Sequence, residues 1–141
     1  MSKQPTIITG TVGTDAHVIG TKVLSRALKD AGFNVVALGM QVSPQEFIKV
    51  AQETNADAIL MSSLYGMADL DLKGFNEERM EAGLGDVLLY IGGIVGLGRH
   101  DFKEDEEKFK KLGFDRVYPP EADLDAAIED LRNDLKAKNK M

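Results

Sequence analysis

The strongest constraint on this chain's fold is an alternation. Short apolar segments rich in β-branched residues take turns with stretches of helical period, five times over. The strand-like segments are Thr6 to Val12, Phe33 to Leu38, Ala58 to Met61, Val87 to Ile91 and Arg116 to Tyr118. The helix-like stretches are Val18 to Ala31, Pro44 to Thr54, about Leu70 to Ala82, Phe102 to Leu112, and Leu124 to Lys138. A parallel crossover needs a connection long enough to return along the sheet, and helices of this length supply it. The pattern predicts an α/β fold: a flavodoxin-like (Rossmann-like), doubly wound, five-stranded parallel sheet with helices on both faces. Boundary chemistry agrees. Ser43 with Glu46 three residues later is a capping-box pattern, Pro44 suits a first helical position, and Gly32, Gly83 and Gly113 suit left-handed C-terminal caps. Lysine-rich Lys136 to Met141 reads as a frayed helix end.

The 141 residues fit one domain spanning 1–141, with a core over about 5–120 and a C-terminal helix over about 122–138. Seventeen basic against 23 acidic residues leave a net charge of −6, which argues against broad electrostatic capture of nucleic acid or an anionic membrane. With no cysteine, disulfides, thiolate metal sites and cysteine nucleophiles are excluded. No apolar run approaches the ~20 residues of a membrane span and no secretory signal is evident, so a cytoplasmic location is expected.

In a sheet of this class the ligand crevice lies beyond the carboxyl ends of the strands, where the strand order reverses. The residues predicted there are unusual. The first strand runs into Gly13-Thr14-Asp15-Ala16-His17-Val18-Ile19-Gly20. An aspartate beside a histidine can accept a hydrogen bond from one ring nitrogen, raise ring basicity, and leave the other nitrogen free for a metal or a proton. Gly20 costs a helix about 1 kcal/mol relative to alanine, which a bulky group passing close to the backbone would justify. The third strand ends at Ser62-Ser63-Leu64-Tyr65-Gly66, small residues that leave room. The fourth ends at Gly92-Gly93, followed by Ile94-Val95-Gly96-Leu97-Gly98, without a side chain at four of seven positions. Each motif also has a plain alternative: a helix-capping histidine, serines satisfying strand-end backbone groups, and tight-turn glycines. The glycine run is weak as a phosphate cradle, because no Gly-Lys-Ser/Thr follows it.

Together the motifs say more. Asp15-x-His17-x-x-Gly20, then 41 residues, Ser62-x-Leu64, then 27 residues, and Gly92-Gly93 resembles the signature of cobalamin-binding domains in order and spacing. From about Thr6 to Tyr118 the chain is similar to the small cobalamin-binding (sigma) subunit of methylaspartate (glutamate) mutase. The likeness includes Gly32-Phe33-Asn34-Val35-Val36, Ser43-Pro44-Gln45-Glu46, and Gly113-Phe114-Asp115-Arg116-Val117-Tyr118. The resemblance implies adenosylcobalamin bound with its own base off the cobalt, and His17 in that base's place as lower axial ligand. Asp15 would orient His17, and the displaced nucleotide tail would thread into a slot lined by Ser62, Leu64, Gly92 and Gly93. Thr14, Ala16, Val18, Gly20, Ser63, Ile94, Val95, Gly96, Leu97 and Gly98 complete the implied cofactor contacts. The family often has asparagine after the Gly-Gly pair, whereas this chain has Ile94.

The implied function is that of the cofactor-binding, non-catalytic half of an isomerase that converts L-glutamate to threo-3-methyl-L-aspartate by a radical rearrangement. Its implied partner is a large barrel catalytic subunit, in a heterotetramer of two small and two large chains. An alternative is a corrinoid methyl carrier for a methyltransferase. Such carriers usually have a helical module before the domain, whereas the first strand here begins near residue 6. A phospho-receiver of the same fold class would need an acid cluster after the first strand and an aspartate ending the third; the chain offers Asp15 and Ser62. Lys22 could pair with Asp15, and His100 could approach the same crevice, although solvated side chains are the plainer reading of both.

Overall fold

The computed structural model describes residues 4–11, 19–39, 42–62, 74–92, 102–118, 124–138 and 140. Strand and helix alternate through them as β1 (Thr6–Thr11), α1 (Ile19–Asp30), β2 (Asn34–Ala37), α2 (Pro44–Thr54), β3 (Ala58–Ser62), α3 (Phe75–Glu81), β4 (Leu88–Gly92), α4 (Phe102–Lys111), β5 (Arg116–Tyr118) and α5 (Leu124–Ala137). The strands pair in parallel in the order β2-β1-β3-β4-β5. This is the flavodoxin-like order, whose reversal falls between β1 and β3. Among the described residues no helix is long and apolar enough to cross a membrane.

Local chemistry explains the boundaries. The Ser43 hydroxyl accepts the Glu46 backbone N–H at 3.2 Å, and Pro44 opens α2. Gly32, Gly83 and Gly113 have positive φ after their helices, as expected of caps. A side chain at Gly113 would be doubly opposed, since a Cβ there would also run into the Asn76 amide. The expected helix from Leu70 to Ala82 is corrected at its start. Gly74, at φ 82°, is incompatible with a continuing right-handed helix, so α3 begins at Phe75. The lysine-rich end is also more than a frayed helix. Lys138 Nζ pairs with Asp86 at 3.2 Å, and Lys140 Nζ lies 3.7 Å from carboxylate oxygens of both Asp57 and Asp86.

Alternation along each strand splits the core in two. One face carries Ile8, Ile59, Met61, Leu89, Ile91 and Val117 against Phe47 of α2, Phe75 of α3 and Phe109 of α4. The other carries Ile7, Ala58, Leu60, Leu88 and Tyr90 against Leu28 of α1 and Ile128, Leu131 and Leu135 of α5. Both faces are apolar at the amino ends of the strands. They differ at the carboxyl ends, and that difference places the site.

Candidate functional site

Strand register aligns Thr11, Ser62, Gly92 and Tyr118 in one row across the carboxyl edge of β1, β3, β4 and β5. All four follow the alternation of the α1/α5 face. On that face Ile7, Ala58 and Leu88 are followed by Thr9, Leu60 and Tyr90, and the side chains become small across β1, β3 and β4 only in the last row, Thr11, Ser62 and Gly92. On the opposite face Met61, Ile91 and Val117 keep the carboxyl end full. Gly10 is no exception there: a Cβ built on it would lie 3.0 Å from the Phe47 ring, so Phe47 already occupies that space. At Gly92 a Cβ would meet, among the described residues, only Tyr118, whose own Cβ is 3.3 Å away. The row thus lacks side-chain bulk at Ser62 and Gly92 on the α1/α5 face, next to a fully buried Thr11.

Beneath this row the packing is fixed by satisfied hydroxyls. The Thr9 and Ser25 hydroxyls lie 2.7 Å apart, both buried, tying β1 to α1. Tyr90, only 2% exposed, donates its phenol hydrogen to Asp134 of α5. Asp134 also accepts from Arg116 Nε at 2.7 Å and from a terminal guanidinium nitrogen at 3.1 Å. One turn away along α5, Asp130 accepts the Tyr118 hydroxyl at 2.8 Å. The Arg116 hydrogen bond holds the Asp134 carboxyl below its ordinary range, and burial pushes both tyrosine phenols well above theirs, helped by their carboxylate partners. Both tyrosines therefore stay neutral donors at any physiological pH.

Of the site residues expected from sequence, the structure brings Ser62 and Gly92 side by side and places Gly20 in the first turn of α1. Thr14, Asp15, Ala16, His17, Val18, Ser63, Leu64, Gly93, Ile94, Val95, Gly96, Leu97, Gly98 and His100 lie outside the described residues, as does the Lys22 side chain. Sequence reasoning missed the five-residue group of Tyr90, Tyr118, Arg116, Asp130 and Asp134. A readable trace was there: Asp130 and Asp134 stand four apart on one helix face, and Arg116 and Tyr118 two apart on one strand face. Among the described residues no cluster of three or more His, Asp or Glu side chains could hold a bare metal ion. What they offer is shape. The strand-end serine predicted as the wrong residue for a phospho-receiver is Ser62, and it does stand at the end of β3.

A parallel sheet whose order reverses between β1 and β3, with small residues at the strand ends beside that switch point, is the architecture of a ligand-binding α/β domain. The B12 binding domain family matches residues 5–131. The glutamate mutase sigma subunit of Carboxydothermus hydrogenoformans is 50% identical over 133 residues, covering 94% of this chain and 97% of that one. Glutamate mutase sigma subunit 2 of Haloarcula marismortui is 54% identical over 130 residues, covering 92% and 87%. The chain belongs to the B12 binding domain family and, within it, to the glutamate mutase sigma subunits. A cobalamin-binding protein from Desulfitobacterium hafniense superposes with a TM-score of 0.74 at 22% identity, a likeness that speaks for the fold alone. That match covers 94% of this chain and 60% of the other, so the chain spans less than two thirds of that protein's length.

Proposed function

We propose that this chain is the cobalamin-carrying component of a glutamate mutase and works with a separate catalytic subunit. The observation that supports this most directly is the lack of side-chain bulk at Ser62 and Gly92 on one face of the strand ends, in a chain half identical to sigma subunits along nearly its whole length. A nucleotide tail is long, flat at its base and too large to share a strand edge with bulky side chains. The Thr11, Ser62 and Gly92 row removes those side chains on one face only. Adenosylcobalamin, the form a glutamate mutase uses, would supply a cobalt–carbon bond that breaks homolytically to start the rearrangement of glutamate to 3-methylaspartate.

This chain's residues would do the holding. Ser62, Gly92 and the Thr9, Leu60 and Tyr90 layer beneath them would receive the tail. His17 would serve as lower axial ligand to cobalt, with Asp15 as acceptor for its other ring nitrogen. Thr14, Ala16, Val18, Gly20, Ser63, Leu64 and the Gly93 to Gly98 run would complete the cradle. The partner that encloses glutamate would be a large barrel subunit, in a cytoplasmic assembly of two small and two large chains. The sigma-subunit relatives named above do not favour a methyl carrier.

Reconstitution tests the proposal. The chain mixed with adenosylcobalamin and the catalytic subunit of a glutamate mutase is expected to convert glutamate to 3-methylaspartate, followed by proton resonance of the product. Omitting the chain should abolish conversion. A chain that binds the cofactor and the catalytic subunit yet yields no product would overturn it.

A further inference from the structure

At the amino edge of the sheet, opposite the candidate site, Lys140 reaches back to a shielded carboxylate. Asp57 joins three strand starts there. Its backbone N–H donates to the Thr6 carbonyl at 2.8 Å, its carboxylate accepts the Thr6 N–H at 2.9 Å, and its carbonyl accepts the Leu88 N–H at 3.1 Å. The Asp57 side chain is 4% exposed, and Lys140 Nζ, on a side chain 14% exposed, stands 3.7 Å from it. Asp86, 76% exposed, is met by the same ammonium at 3.7 Å and by Lys138 at 3.2 Å. The two carboxylates differ in kind. A solvated pair such as Lys138 with Asp86 contributes little. A shielded carboxylate gains more from its cation, because removing one partner leaves a buried charge uncompensated. The hold on α5 is also uneven along its length. Ile128, Leu131 and Leu135 are buried, Asp130 and Asp134 accept from Tyr118, Tyr90 and Arg116, and Arg132 donates to the Ala31 carbonyl at 2.9 Å. Past Leu135, Lys136, Ala137 and Lys138 are exposed. The Leu135 carbonyl takes the N–H of Lys138 at 3.2 Å and that of Lys140 at 2.8 Å. Among the described residues, the side-chain ties from this end back to the strand starts are those of the two lysines.

We propose that the segment after α5 is an ionic strap whose catch is Lys140 on Asp57, and that α5 opens from this end when the catch is released. The inference goes beyond the cobalamin reading and does not depend on it. Lys138 and Asp86 form an outer pair that adds little to the closure. Releasing the catch frees the last turn of α5 as far as Leu135, while Asp130 and Asp134 keep the rest of the helix on the sheet. Local openings of this kind cost less than global unfolding and are read by amide hydrogen exchange.

The test is amide hydrogen exchange of the full chain, followed residue by residue by nuclear magnetic resonance. Lys140→Met keeps an apolar stem and removes the charge. It should speed exchange at the Lys138 and Lys140 amides about tenfold and leave the buried Ile59 and Leu89 amides at the wild-type rate. Asp57→Asn, whose amide oxygen still accepts the Thr6 N–H, should do the same. Lys140→Arg, which keeps a cation on a long stem, should restore protection to within about twofold of wild type. Lys138→Met should also stay within about twofold, as expected of a solvated pair. Unchanged exchange at the last turn in either Lys140→Met or Asp57→Asn, or as large an acceleration in Lys138→Met, would overturn the catch. Acceleration shared equally by Ile59 and Leu89 would overturn opening from this end, because the whole domain would then be unfolding together.

Discussion

Ser62→Leu is expected to lower cobalamin affinity about 100-fold, a change of roughly 2.7 kcal/mol in binding free energy. Ser62 sits between Thr11 and Gly92 in the edge row, with strands on either side about 4.8 Å away. The new side chain would project from the α1/α5 face, where the cobalamin tail is proposed to lie. It could not sink toward the sheet, because the layer beneath is full: Thr9 and Leu60 are buried, and Tyr90 is pinned through Asp134. Overpacking a fitted site costs about 1–3 kcal/mol before any ligand contact is lost. The fold should tolerate the change, since the position is half-buried at a strand end, so the melting temperature should stay within roughly 3 °C of wild type. Isothermal calorimetry with cobalamin, paired with a thermal scan, decides it. Undiminished affinity in the folded variant would show that the tail does not enter over β3.

The largest stability effect should come from Arg79→Leu, far from the site. Arg79 is 5% exposed, and its guanidinium donates to the Leu84 carbonyl at 3.1 Å, the Val87 carbonyl at 3.2 Å and the Asn76 amide oxygen at 2.7 Å. It therefore ties α3 to the turn that feeds β4. Burial lowers the guanidinium's proton affinity, partly offset by Asp115, yet so strong a base remains charged. Charged hydrogen bonds to buried acceptors are worth about 1.5–3 kcal/mol each in truncation experiments, with losses at neighbouring groups far from additive. A total destabilisation of about 3 kcal/mol is expected, which lowers the melting temperature by roughly 10 °C in a chain of this size. Arg79→Lys should recover little, because a single ammonium cannot reach the same fork of partners. Circular dichroism melting checks both variants; a fall under about 1 kcal/mol would mean the turn is held by other contacts.

How far the fold was legible from sequence depends on where the determining contacts lie. Strand and helix periods are local, so all five strands and five helices stand where the pattern put them, most ends within a residue. Gly74 escaped notice because one glycine inside a helical period reads as tolerable, and only its φ of 82° makes it a stop. The lysine tail was misread because its partners, Asp57 and Asp86, are more than 50 residues away. The site divides in the same way. Ser62 and Gly92 were identified from small residues at strand ends, and parallel register then set them side by side. The Tyr118 and Asp130 pair joins β5 to α5 through side chains of ordinary types, and nothing in spacing alone says that they meet.

The proposed binding mode places the cobalamin tail over Ser62 and Gly92 and a protein imidazole in place of the vitamin's own base. Electron paramagnetic resonance of the bound cobalt(II) cofactor, with the protein's histidines labelled with nitrogen-15, tests that directly. Labelling is expected to change the nitrogen splitting on cobalt from three lines to two, and His17→Ala to remove this label-dependent splitting. A splitting indifferent to the label, with the cofactor bound, would mean that the vitamin keeps its own base and would contradict ligation by His17.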